Sequence, residues 1–128
     1  MSGRRVSSTA RRRSYRRGLT AETLAAALLR LKGYRILARR FRVRLGEIDM
    51  IARRGAHFAF VEVKARPDAG EVLTARQRAR IHRAAEAWLA AARLRGALPE
   101  EFSASFDLVL VRPWRWPQHV PRAFGDGL

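Results

Sequence analysis

The sequence predicts an α/β fold: a mixed β-sheet flanked by helices, with elements in the order helix, strand, strand, strand, helix, strand. Three observations predict it. Two segments place apolar residues at helical spacing, and each follows a threonine suited to an N-cap, Thr20 and Thr74. Between them, three strand-like runs succeed one another with only short turn signals, as in an antiparallel meander. A last run, Phe106 to Val111, is apolar on both faces apart from Asp107, as expected for a buried strand reached by a helical crossover.

Met1 to Arg17 holds seven arginines, no acid and almost nothing to bury, so residues 1–17 are expected to form a disordered basic arm. The arm serves either to bind a polyanion or merely to keep the chain soluble. Residues 18–128 form the expected folded domain. Ala21 to Lys32 reads as its first helix, with Leu24, Leu28 and Leu31 as the buried stripe and Gly33 as the stop. Tyr34 to Val43 is an Arg-rich strand, and Gly46 introduces a second strand, Glu47 to Ala52. Arg53-Arg54-Gly55-Ala56 is a turn signal, after which His57 to Ala65 returns antiparallel. Arg66 to Val72 reads as a loop, Thr74 caps a helix reaching about Leu94, and Gly96 to Ser105 connects it to the last strand. The end, from Pro113-Trp114-Arg115-Trp116-Pro117 onward, is rich in proline and tryptophan.

At 128 residues with 48% hydrophobic content, the chain supports a single core. It has no cysteine, which removes disulfides, thiolate metal sites and thiol nucleophiles. No apolar run approaches the roughly 20 residues of a membrane helix. No signal peptide is read from the arginine-rich start, and a cytoplasmic location is expected. The net charge of +16 points to a polyanionic partner, nucleic acid above all.

Candidate chemistry centres on two strands. In Phe58-Ala59-Phe60-Val61-Glu62-Val63-Lys64, alternation puts Phe58, Phe60, Glu62 and Lys64 on one face. A β-turn of two or four residues also brings Glu47 and Asp49 to that face, whereas three residues would not. Asp49 and Glu62 can then bind Mg²⁺ or Mn²⁺, with the Val63 carbonyl as a third ligand and Lys64 beside a bound water. Of 27 basic residues only Lys32 and Lys64 are lysines, so a lysine at this strand end hints at a need for a compact ammonium. The competing reading is a surface cross-strand ion pair. Against it, three acids on one face repel unless a cation sits among them, either a metal ion or Lys64 and nearby arginines, which favours a site without forcing one.

Glu22 either benefits only from the helix dipole or reaches the metal cluster. Gln77, on the sheet-facing side of the second helix, either caps local backbone or reaches the site. His57, His82 and His119 share no metal spacing and read as surface or strand-end residues. Trp114 and Trp116 either stack bases or cover the core edge.

Together, Glu22 with Gly33-Tyr34, Gly46-Glu47-Ile48-Asp49, Phe60-Val61-Glu62-Val63-Lys64, Phe106-Asp107 and Ala123-Phe124 resemble the PD-(D/E)xK nuclease superfamily. They resemble more closely the small bacterial YraN-like family, itself similar to archaeal Holliday-junction resolvases. The match runs from Gly18 almost to the end. The resemblance implies a restriction-endonuclease-like fold, metal ligation by Asp49 and Glu62 with Glu22 in support, and Lys64 as catalytic lysine. Gln77 stands where relatives often carry Lys, and Ser105 where an Arg is common, departures that bear on a phosphate contact and a structural ion pair.

The leading expectation is a metal-dependent endonuclease on DNA, including branched or structured DNA. The alternatives are a non-catalytic nucleic-acid-binding protein and a basic RNA- or ribosome-associated factor. Phosphate contacts do not separate DNA from RNA. A homodimer is compatible with cutting two strands by two symmetric sites.

Overall fold

The computed structural model describes residues 8–65 and 73–125, with side chains described from Thr20 onward. The elements are α1 (Ser8–Leu31), β1 (Arg35–Val43), β2 (Gly46–Arg54), β3 (His57–Ala65), α2 (Ala75–Leu94), β4 (Ser103–Val111) and β5 (Gln118–Phe124). They build one five-stranded sheet in the order β1-β2-β3-β4-β5. The first three strands form an antiparallel meander, β4 joins β3 in parallel, and β5 closes the far edge antiparallel. The expected mixed sheet with flanking helices is the fold observed. The loop expected at 66–72 lies outside the described residues.

Alternation along β3 divides the interior into two layers. Phe58 and Phe60 meet Ile81, Ala84, Ala85 and Trp88 of α2, while Ala59 and Val61 meet Ala25, Ala26 and Leu29 of α1. Phe60 touches Trp88 edge-on at 6.0 Å between ring centroids and Phe106 at 5.8 Å. Small residues on α1 let the helix lie close to the sheet. This turns its face from the expected one: Ala21, Ala25 and Leu29 are buried, whereas Leu24 and Leu31 are exposed.

Two boundaries and one strand also differ. Helix α1 begins at Ser8, so residues 8–17 of the expected arm continue the helix, while residues 1–7 lie outside the described residues. Arginine is a good helix former and 8–17 contains no Gly or Pro to stop it. Strand β4 starts three residues early, at Ser103, where it pairs with His57. The sequence reading has no counterpart of β5. Pro121 lies within β5, a position tolerated because the strand is the sheet edge.

No helix among the described residues is long and apolar enough to cross a membrane.

Candidate metal centre

The site begins with a turn. Arg54 pairs with His57, leaving a two-residue loop, Gly55-Ala56, with Gly55 at φ 63°. That register meets the parity condition for Asp49 and Glu62 to share a face. The last residue pair of the β2–β3 ladder is Met50 with Val61, and one step further Asp49 would face Glu62. There the Asp49 side chain takes over from the ladder: the Val63 N–H donates to Asp49 Oδ2 at 2.8 Å. Val63 is thus tied to Asp49 through its backbone.

The two carboxyls share a proton. Burial, the charge of Asp49 and the hydrogen bond to Asp49 together push the Glu62 pKa from 4.5 up to about 8, against a partial opposing effect of Lys64. Burial likewise raises the Asp49 pKa, which the hydrogen bonds from Val63 and Glu62 counteract. At neutral pH the pair therefore holds one proton between its two carboxyls. Two half-buried acids kept together at this cost fit a site whose ligand is a cation.

Asp49 and Glu62 open on a cavity of about 140 Å³, lined also by Glu47, Gln77, Arg80 and Ile81. Gln77 performs both of its candidate tasks. Its Oε1 accepts from the Thr74 N–H at 2.8 Å and its own N–H donates to Thr74 Oγ1 at 3.1 Å, a capping box, while the residue lines the cavity. Arg80, one helical turn on, reaches Glu47 at 3.7 Å, and Arg42 meets the other Glu47 oxygen at 3.3 Å. Sequence reasoning missed Arg80. The signal was its i+3 spacing from Gln77, masked by the abundance of arginine.

Lys64 is half-buried on β3, outside the cavity lining, and its charge acts on Glu62. Glu22 is not in the lining either. Arg40 Nε holds it at 3.0 Å and Arg39 at 4.0 Å, and its charge raises the Asp49 pKa. Among the described residues, no group of three or more His, Cys, Asp and Glu side chains stands ready for a metal. A cation here would therefore rest on the two carboxylates, completing its shell with a backbone carbonyl or water. That is the habit of Mg²⁺ and fits this hard, oxygen-only donor pair.

The opposite face holds a second polar constellation. Asp107 is fully buried on β4, where Ser105 Oγ donates to its Oδ1 at 2.7 Å, His119 Nε2 to its Oδ2 at 2.7 Å and the Arg122 N–H to its Oδ1 at 3.1 Å. Burial alone would raise the Asp107 pKa, but the hydrogen bonds from His119, Ser105 and Arg122 outweigh it and lower the value. Since Ser105 gives its proton to Asp107, its oxygen accepts from His57 Nε2 at 2.8 Å, and His57 Nδ1 accepts from Ser103 Oγ at 2.7 Å. His119 Nδ1 faces Lys32 Nζ. His119 is a strand-end residue, second in β5, as one of the two expectations had it, but it is not at the surface, for its side chain is 2% exposed. Pairing with Asp107 makes that burial tolerable.

The fold is similar to the Holliday junction resolvase Hjc of Archaeoglobus fulgidus, with a TM-score of 0.50 and 20% identity over 78% of this chain and 72% of that one. Likeness at that identity shows the fold, which is restriction-endonuclease-like. A UPF0102 protein of Mesorhizobium japonicum is 53% identical over 120 residues, covering 91% of this chain and 93% of the relative. One from Methylorubrum extorquens is 53% identical over 117 residues, covering 89% and 88%. The profile of the Uncharacterised protein family UPF0102 matches residues 21–111, and the chain belongs to that family.

Proposed function

We propose that this protein is a divalent-metal-dependent endonuclease that hydrolyses phosphodiester bonds in DNA. The observation that carries this reading is the pair of carboxyls, Asp49 and Glu62, brought together by the β2–β3 register at the wall of an open cavity. A structural ion pair would join opposite charges. Here two acids face each other, an arrangement that a cation bound between them relieves.

Asp49 and Glu62 would hold Mg²⁺ or Mn²⁺, aided by the Val63 carbonyl, once the shared proton is displaced. The ion when bound supplies charge for the phosphate and acidifies water. The chain's own groups supply the rest. The Val63 N–H fixes the Asp49 carboxylate, so it is pre-oriented. Lys64, half-buried near the end of β3 with its charge acting on Glu62, would orient the attacking water and stabilise charge developing on the phosphate. Gln77 and Arg80 offer N–H donors from α2 to the phosphate oxygens. Glu22 adds negative charge from α1 that would favour a cation at Asp49.

The test is cleavage of linear duplex, single-stranded, flapped and four-way-junction DNA in Mg²⁺, Mn²⁺ or EDTA. The junction belongs in the set because the structural neighbour is a Holliday junction resolvase. Wild type is expected to cut with metal only. Glu62→Gln and Lys64→Met are expected to lose cleavage and to keep metal-free binding, which the arginines provide. Lys64→Arg is expected to fail nearly as badly, because a guanidinium is wider than an ammonium. Equal binding by all proteins with no cleavage under any metal would assign the fold to nucleic-acid binding alone.

A further inference from the structure

The β4–β5 connection, Arg112 to Pro117, carries two tryptophans that the fold does not use. Trp114 is 101% exposed and Trp116 86%, so neither covers the core edge. For large aromatic rings this is a standing cost, since each leaves apolar area in water. Trp114 also sits at φ 63°, a left-handed conformation that a bulky residue adopts only when its surroundings impose it. The loop is stiffened from both sides. Pro113 and Pro117 bracket the rings, and Arg112 Nη1 donates to Gln118 Oε1 at 3.3 Å across its base. An ordered loop thus presents two rings to solvent, with Arg115 between them.

Its position relates it to the candidate metal centre. The parallel β3–β4 register pairs Glu62 with Leu108, Lys64 with Leu110 and Ala65 with Val111. The loop therefore leaves the same end of the sheet as Lys64. From the level of Glu62 to Arg112 is four residues of strand, about 13 Å at roughly 3.3 Å per residue. At roughly 3.4 Å per stacked base, a strand seated at the centre reaches the rings within about four nucleotides.

We propose that Trp114 and Trp116 form a stacking platform for unpaired bases, so that the preferred substrate is nucleic acid with a single-stranded stretch next to the bond at Asp49 and Glu62. The assignment rests on the nucleic-acid reading of that centre. Three features favour bases over another occupant. Arg112 and Arg115 flank the rings with positive charge, the folded chain is basic, and an aromatic ring interleaved with arginine accepts any base on its π-face. A paired duplex offers such rings only its grooves and backbone, because its base faces are already stacked.

The experiment measures binding in EDTA, apart from cleavage. The full chain, W114A/W116A and W114F/W116F are titrated against fluorescent (dT)20 and against a 20-bp duplex. The alanine variant is expected to lose at least about fivefold in (dT)20 affinity per ring and less than twofold on duplex. The phenylalanine variant, which keeps a π-face, is expected to fall between it and wild type. Saturating (dT)20 is also expected to quench the emission of the two exposed rings in wild type, leaving that of buried Trp88, and to leave the alanine variant's emission unchanged. Equal losses on both ligands would overturn the proposal. So would unchanged (dT)20 affinity, which would hand the rings to a protein or lipid surface. Should the alanine variant fail to fold, a phenylalanine variant weakened equally on both ligands overturns it as well. Wild type that binds (dT)20 through the rings yet never cleaves would sink the nuclease reading and leave the platform standing.

Discussion

At the scale of single residues, the Asp49–Glu62 pair links chemistry to stability. Glu62 titrates at about 4.5 when unfolded and at about 8 when folded, so between these pH values the folded state binds the extra proton. The stabilisation from that proton is fully present below pH 4.5 and is lost as pH rises through about 8. In EDTA, the unfolding free energy is therefore expected to fall on the order of a few kcal/mol between pH 5 and pH 8. Glu62→Gln keeps the shape without the titration, so its curve should be flatter and higher at pH 8. Mg²⁺ should restore wild-type stability at pH 8 and leave the variant unmoved, because a ligand stabilises only the state that binds it. Urea titrations at three pH values with and without Mg²⁺ check all of this. A wild-type curve that climbs toward pH 8 in EDTA would show that the two carboxyls share no proton.

At the scale of elements, the site depends on how closely α2 lies against β2. An ideal Cβ on Gly46 would fall 2.1 Å from the Arg80 carbonyl oxygen and 2.9 Å from the Ala84 nitrogen. Both are backbone atoms, so nothing flexible can yield, and the helix itself must move. Gly46→Ala is expected to cost about 1–3 kcal/mol or more. It should also shift Gln77 and Arg80 off the cavity, so that cleavage falls further than the loss of folded protein explains. Thermal melts beside specific activity measure the two separately. The sequence signals this glycine as a strand opening but not as a contact, since the partner is 34 residues away. Strands β1 to β3 show in their alternation and turn signals, and the capped α2 shows in Thr74 and its apolar spacing. The face of α1 did not, because Ala25 and Ala26 look like filler beside Leu24 and Leu31 until close packing selects small residues. Strand β5 hid behind Pro121 and Arg122, and the burial of His119 becomes visible only once β5 lies beside Asp107.

For the whole molecule, the legible part of the site is the part that register fixes, and the hidden part is the part that docking fixes. Asp49 and Glu62 follow from a two-residue turn, whereas Arg80 arrives only with α2. The charge distribution extends the same division, since +16 announces a polyanion without showing where it lies. The first 17 residues carry seven of the arginines. The described residues of α1 in the buried clusters begin beyond them, with Ala25, Ala26 and Leu29. Removing residues 1–17 should therefore shorten α1 while leaving the melting temperature nearly unchanged. Its effect should fall on binding. Each arginine that neutralises a phosphate releases condensed counterions and adds roughly 0.9 to the slope of log affinity against log salt. Seven such contacts would remove a slope of about 6 on deletion, and partial engagement would remove proportionally less. Duplex affinity measured between 50 and 300 mM KCl for full-length and truncated chains gives the number directly. A slope that survives truncation would confine the nucleic-acid contacts to the sheet, α2 and the β4–β5 loop. A slope that collapses would make the arginine segment the principal electrostatic anchor, with the Asp49–Glu62 centre acting on a strand already held.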